Sequence, residues 1–235
     1  MMVVRFRDAA GVARAGAAEV VDAAFKAIRE HGDFRLLLAG GSTPRATYEL
    51  LAGELRAEVD WRRVSLWFGD ERCVPPDDPR SNYRMVREAL IDPLRLSPSM
   101  VNRIAGELPP EAAAAEYDVE LKRLRRERAP IFDLALLGMG PEGHTASLFP
   151  GSPTLAEHGR LAMAVEVPAQ PPLRVTLTPE ALGLSRGMVF LVTGPGKAEA
   201  LARVFGEGDV PAALVASLAP SQFFVDDAAA TELPT

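Results

Sequence analysis

Four short apolar runs in this chain each end at glycine: Phe34–Ala39 before Gly40-Gly41, Val64–Phe68 before Gly69, Phe132–Leu137 before Gly138, and Met188–Thr193 before Gly194. Runs this short and unbroken read as strands buried on both faces. Between them, apolar residues recur at helical spacing. Val20, Val21, Ala24, Phe25 and Ile28 stop before Gly32; Thr47, Leu50, Leu51 and Leu55 follow Pro44; Ala114, Tyr117, Leu121 and Leu124 follow Pro109-Pro110. Strands alternating with helices require right-handed crossovers and a mostly parallel sheet. The expected fold is α/β, a Rossmann-like, mostly parallel sheet with helices on both faces. Ligands of such sheets sit beyond the carboxyl ends of the strands. The loops after Ala39, Phe68, Leu137 and Thr193 are therefore expected to share one edge.

The remaining chain fits around this frame. Val3–Phe6 reads as a first strand, Ser81 as the cap of a helix through Leu90, and Met100–Ile104 as a short strand. Leu161–Val167 and Arg174–Leu177 read as strands, Thr178-Pro179 as the start of a short helix, Gly196–Phe205 as a helix and Gln222–Val225 as a last strand. Asp70–Tyr83, polar and holding three prolines, reads as a long loop. No Ser/Gly-rich or charged linker interrupts the 235 residues, so a single domain spanning 1–235 is expected.

Composition excludes several classes. Lys and Arg number 26 against 32 Asp and Glu, a net charge of −6, which argues against a broad nucleic-acid surface. Cys73 is the only cysteine, so no internal disulfide or Cys-rich metal site exists, and a reducing, cytoplasmic setting is expected. The N-terminus MMVVRFRDAAG has neither the apolar run nor the cleavage site of a signal peptide, and no stretch reaches membrane-spanning length.

Candidate chemistry lies in the loops. Gly40, Gly41 and Ser42 belong to GGSTP, a strand-to-helix junction whose free N–H groups and helix dipole favour an anion, with Ser42 or Thr43 available as N-cap. The plain alternative is a capped turn. There is no Walker loop: at Gly196-Lys197 the glycine required five positions earlier is Leu191, and Ala198 stands where Ser or Thr is needed. Lys197 is expected in the first turn of a helix, where a cation opposes the dipole and a bound anion would remove the conflict; the alternative is a solvated lysine.

Gly138, Gly140 and Gly143 match a dinucleotide fingerprint, but Pro150, Gly151 and Pro153 leave no room for the helix it requires. They lead instead to His144, whose side chain suits proton transfer near neutrality, although a buried histidine satisfied by a carbonyl is the bland reading. Asp70, Glu71 and Arg72 follow directly on a strand and are either a solvated turn or turned inward; Arg174 is similarly ambiguous. His31 looks like a cation at a helix end, His158 like a surface residue, and Cys73 like a packed thiol. Three scattered histidines without HExxH or CxxC predict no metal, and without G-x-S-x-G a serine hydrolase is disfavoured.

Taken together, GGSTP, DERCVPPDDPRSNY, GMGPEGHTASLFPGSP, RVTLTPEAL and GPGKAEAL resemble the 6-phosphogluconolactonase family over most of the chain. The resemblance implies hydrolysis of 6-phospho-D-glucono-1,5-lactone to 6-phosphogluconate in the oxidative pentose phosphate pathway, without metal or cofactor, by a monomer or weak homodimer. It implies that His144 is the general base, with Glu142 beside it. Phosphate would be held by Gly41, Ser42, Arg174 and Lys197, with Arg72 nearby, and N–H groups of the glycine turn would be candidates to stabilise the developing oxyanion. Two positions depart from the family: Glu142 stands where aspartate is usual, and Phe223-Phe224 where a tryptophan is common. A glucosamine-6-phosphate deaminase/isomerase is the nearest rival, but its histidine is followed by an Asn-Glu pair where this chain has Ser147-Leu148-Phe149. A silent sugar-phosphate sensor is the other, and no basic helix-turn-helix segment supports it.

Overall fold

The computed structural model describes residues 1–233. Its elements are β1 (Met2–Phe6), α1 (Ala9–His31), β2 (Phe34–Leu38), α2 (Ser42–Ala52), β3 (Val64–Phe68), β4 (Asp70–Arg72), α3 (Asn82–Val86), α4 (Asp92–Leu94), β5 (Val101–Asn102), α5 (Pro110–Glu127), β6 (Leu134–Gly138), β7 (Ala162–Glu166), β8 (Leu173–Leu177), α6 (Pro179–Gly183), β9 (Met188–Val192), α7 (Ala198–Phe205), α8 (Pro211–Ala216) and β10 (Ser221–Asp226).

Seven strands form one parallel sheet in the order β1-β10-β9-β6-β2-β3-β5. From β2 the chain winds outward through β3 to β5; from β6 it winds the other way through β9 to β10. Right-handed crossovers in opposite directions place α2 and the α7–α8 pair on opposite faces. The reversal falls between β2 and β6, which pair through Leu36–Leu134 and Leu37–Ala135. At such a switch point neighbouring loops diverge and leave a crevice. Phe34, Leu36, Phe132, Phe190 and Phe223 are fully buried, each contributing about 1.5–3 kcal/mol of transfer free energy. Phe223, at the position of the expected tryptophan, stacks on Phe190 with ring centres 4.3 Å apart.

The sequence reading needs correction in three places. Asp70–Arg72 is not loop: it forms β4 of a second, three-stranded antiparallel sheet, β4-β8-β7. The helix capped by Ser81 changes to a wider π-type turn at Arg87–Ile91. Helix α8, short and alanine-rich, was not anticipated.

Candidate active site

A cleft of about 360 Å³ opens at the carboxyl edge of the parallel sheet. The loops after β2, β3, β6 and β9 all reach it, as their glycine-terminated runs predict. Gly40, Gly41, Ser42, Asp70, Arg72, Gly140, His144, Arg174 and Lys197 line it. Glu142 is the one expected site residue that does not.

One wall is the start of α2. Gly41 is its N-cap at φ +114°, a conformation open to glycine, and no side chain caps the helix. Neither Ser42 nor Thr43 is the N-cap expected from sequence; the Thr43 hydroxyl instead pairs with that of Thr193 at 2.7 Å, joining the loops after β2 and β9. The positive end of the dipole is thus left without a side-chain acceptor. Gly40 has no room for a side chain, because a Cβ there would lie 1.9 Å from Asn82 Oδ1.

The second sheet supplies the opposite wall. Asp70, Arg72, Arg174 and Thr176 share a face because Arg72 pairs with Arg174 and Asp70 with Thr176 in the antiparallel ladder. Arg174 is 6% exposed, and its Nε donates to the Pro171 carbonyl at 2.7 Å. Burial, and then Arg72, lower its pKa from the ordinary arginine value, though a guanidinium stays charged. Asp70 is fixed from two sides: Asn82 Nδ2 donates to its Oδ1 at 3.0 Å and Ser147 Oγ to its Oδ2 at 2.6 Å. Glu71 points the other way. Its buried carboxylate accepts from the N–H groups of Arg72, Asn82 and Tyr83 and from the Ser81 hydroxyl, tying α3 to β4. Asn82, which sequence reading missed, therefore links β4 to Gly40; its place after a helix cap was the only hint.

The third part is the turn after β6. The Gly143 N–H donates to the Gly140 carbonyl at 3.0 Å, and the Gly140 N–H to the His144 carbonyl at 2.9 Å. Both N–H groups are spent within the turn, so neither of these two is free to donate to a developing oxyanion. No helix follows Gly143, so the dinucleotide reading fails. His144 is partly exposed to the cleft, and its Nδ1 lies 3.1 Å from Glu142 Oε2, within ion-pair distance but without hydrogen-bond alignment. Burial lowers the imidazole pKa; Glu142 and Asp70 oppose that shift, and Lys197 adds to it. Lys197 closes a 3₁₀ turn just before α7, and burial lowers its ammonium pKa while Glu142 raises it.

Outside the cleft, His31 ends α1 with Nε2 3.2 Å from buried Asp133. His158 is exposed. Cys73 is half-buried, and burial raises its thiol pKa. Among the described residues no three His, Cys, Asp or Glu side chains are grouped to hold a metal ion, and no helix is long and apolar enough to cross a membrane.

Fold and cleft together define an α/β protein whose sheet edge gathers Arg72, Arg174, Lys197 and an uncapped helix start around one histidine. The family model for glucosamine-6-phosphate isomerases/6-phosphogluconolactonase matches residues 7–224. The 6-phosphogluconolactonase of Treponema pallidum is 40% identical over 194 residues, covering 82% of this chain and 80% of that protein. That of Mycobacterium tuberculosis is 36% identical over 241 residues, covering 98% and 97%. The crystal structure of 6-phosphogluconolactonase from Thermotoga maritima superposes with a TM-score of 0.84 at 30% identity, covering 96% of this chain and 99% of that one. A monomeric glucosamine-6-phosphate deaminase reaches a TM-score of 0.85 at 22% identity over 99% and 100%, a likeness of fold alone. The chain belongs to the glucosamine-6-phosphate isomerase/6-phosphogluconolactonase family.

Proposed function

We propose that the chain is a 6-phosphogluconolactonase, hydrolysing 6-phospho-D-glucono-1,5-lactone to 6-phospho-D-gluconate in the oxidative pentose phosphate pathway. The observation that carries this reading is that His144 shares one cleft with Arg72, Arg174, Lys197 and the uncapped start of α2. The cations and the helix start suit a phosphate dianion. The histidine is left for the lactone end.

With Nδ1 facing Glu142, Nε2 is the nitrogen available to substrate. It takes a proton from water as the water oxygen bonds to the lactone carbonyl carbon and the carbonyl π pair moves to oxygen. Collapse of this tetrahedral species breaks the bond from carbon to ring oxygen. The imidazolium then gives its proton to the departing oxygen, leaving a carboxylic acid, which ionises, and a hydroxyl group. Burial, which lowers the His144 pKa, keeps the ring neutral and basic at pH 7. Every step uses water and the chain's own residues. The same reading has residues 1–235 working as one domain, monomeric or weakly dimeric, in the cytoplasm without a nucleic-acid partner, in keeping with the net charge of −6 and the lone cysteine.

Purified protein is expected to accelerate opening of the phosphorylated lactone, followed by coupling to 6-phosphogluconate dehydrogenase, and to release no ammonia from glucosamine 6-phosphate. Ammonia release without lactone opening would overturn the assignment.

A further inference from the structure

His144 is held by more than Glu142. Its ring stacks on Phe149, with centroids 4.0 Å apart and 20° between planes. Its Nδ1 and Cε1 lie 2.1 and 2.2 Å from where a Cβ on Gly140 would sit, so the Nδ1 side of the imidazole rests against bare backbone. Glu142 meets that same side.

Phe149 is only 6% exposed, yet it is not part of the main core. With Val165 and Val167 it forms a small separate apolar cluster on which Ala169 packs. Val165 belongs to β7, so the second sheet supports the ring under His144. The segment just beyond carries the Gln170 and Pro171 carbonyls that receive the Arg174 guanidinium.

We propose that Phe149 is a positioning residue for the general base: seated on Val165 and Val167, its ring fixes the plane of the His144 imidazole and keeps water from one of its faces. The proposal rests on the reading of His144 as the base. A stacked neighbour removes rotational freedom about the Cβ–Cγ bond, and misplacement of a catalytic group by about 1 Å can cost on the order of a hundredfold in rate. It also contributes to the burial that holds the imidazole pKa down. The charged groups acting on that ring are Glu142 from its own turn, Asp70 from β4 and Lys197 from the loop after β9; substitutions at Phe149 leave all three in place.

The test compares F149A, F149L and F149Y with wild type and H144A, each first checked for cooperative thermal unfolding. Expected for F149A and F149L is a fall in kcat of roughly 10- to 100-fold, with KM for the phosphorylated lactone within about threefold, because the phosphate contacts are untouched. The acid limb of kcat/KM should move to higher pH as water reaches the ring. F149Y, which keeps an aromatic face, should restore kcat to within about threefold of wild type. In ¹H–¹³C spectra the imidazole resonance absent from H144A should show an upfield ring-current shift in wild type and F149Y, and lose it in F149L. If F149A does not fold, F149L carries the comparison. The proposal is overturned if F149L keeps wild-type kcat and the wild-type acid limb while H144A is inactive, or if F149Y falls as far as F149L. An active H144A would instead remove the base assignment itself.

Discussion

Arg72 and Arg174 stand directly opposite one another across the β4–β8 ladder, and their guanidinium groups donate to backbone carbonyls, Arg72 to that of Arg80 and Arg174 to those of Gln170 and Pro171. Like charges facing each other in an antiparallel pair are unfavourable. On the proposed function, a phosphate dianion bound between them would turn that repulsion into attraction, which gives the pair a use in the ligand-bound state.

R174A should therefore raise KM for 6-phosphogluconolactone about 10- to 100-fold, the equivalent of one charge-assisted hydrogen bond of roughly 1.5–3 kcal/mol. KM for unphosphorylated gluconolactone should change by no more than about twofold. Steady-state kinetics on the two substrates check this, and equal losses on both would take Arg174 out of the phosphate site.

The pH profile follows from the environment of His144. A general base works in its neutral form, so kcat/KM should rise as pH climbs through the His144 pKa, which burial holds below the ordinary value of about 6.5. Glu142 raises that pKa. Replacing it in E142Q removes the raising influence, so the acid limb should shift to lower pH. A shift to higher pH contradicts the assigned pairing.

Gly140 and Gly196 form a matched test of space. A Cβ on Gly140 would fall 2.1 Å from His144 Nδ1, whereas one on Gly196 meets nothing within 4 Å. G140A should lose on the order of a hundredfold in kcat by displacing the imidazole, with thermal stability close to wild type. G196A should match wild type in both. A fully active G140A means that the turn relaxes without moving the base.

Glu71 carries a structural prediction. It is 2% exposed and accepts hydrogen bonds from three backbone N–H groups and one hydroxyl. E71A leaves buried donors unpaired at a cost of about 2–4 kcal/mol, which lowers Tm by about 5–15 °C for a chain of this length. Calorimetry showing an unchanged Tm would mean that water replaces the carboxylate at no cost.

Much of this site was readable before any coordinates because its parts sit on buried parallel strands. Such strands show themselves as short apolar runs, and the glycines after Leu38, Phe68, Leu137 and Val192 mark where they end at the ligand edge. What was lost lies in long-range pairing. Asp70–Arg72 is polar and followed by three prolines; only β8, about 100 residues onward, makes it a strand, and that pairing is what brings Arg72 and Arg174 together. The Gly140 and Gly143 N–H groups looked free because nothing in the sequence shows that the turn spends them on itself. Thr43 has the residue type and place of a cap, but its hydroxyl is taken by Thr193, 150 positions away in sequence. Glu142 was expected within the cleft, but it meets His144 without lining it.

The central claim is that His144 is the base that activates water against the lactone. The most direct measurement is kcat/KM for 6-phosphogluconolactone with H144A against wild type at pH 7, corrected for the uncatalysed opening. The predicted result is a loss of about 10²–10⁴-fold, the usual worth of a positioned general base, with phosphate still raising the Tm of the variant as ligand binding to the folded state should. An H144A protein that retains the wild-type rate contradicts the account.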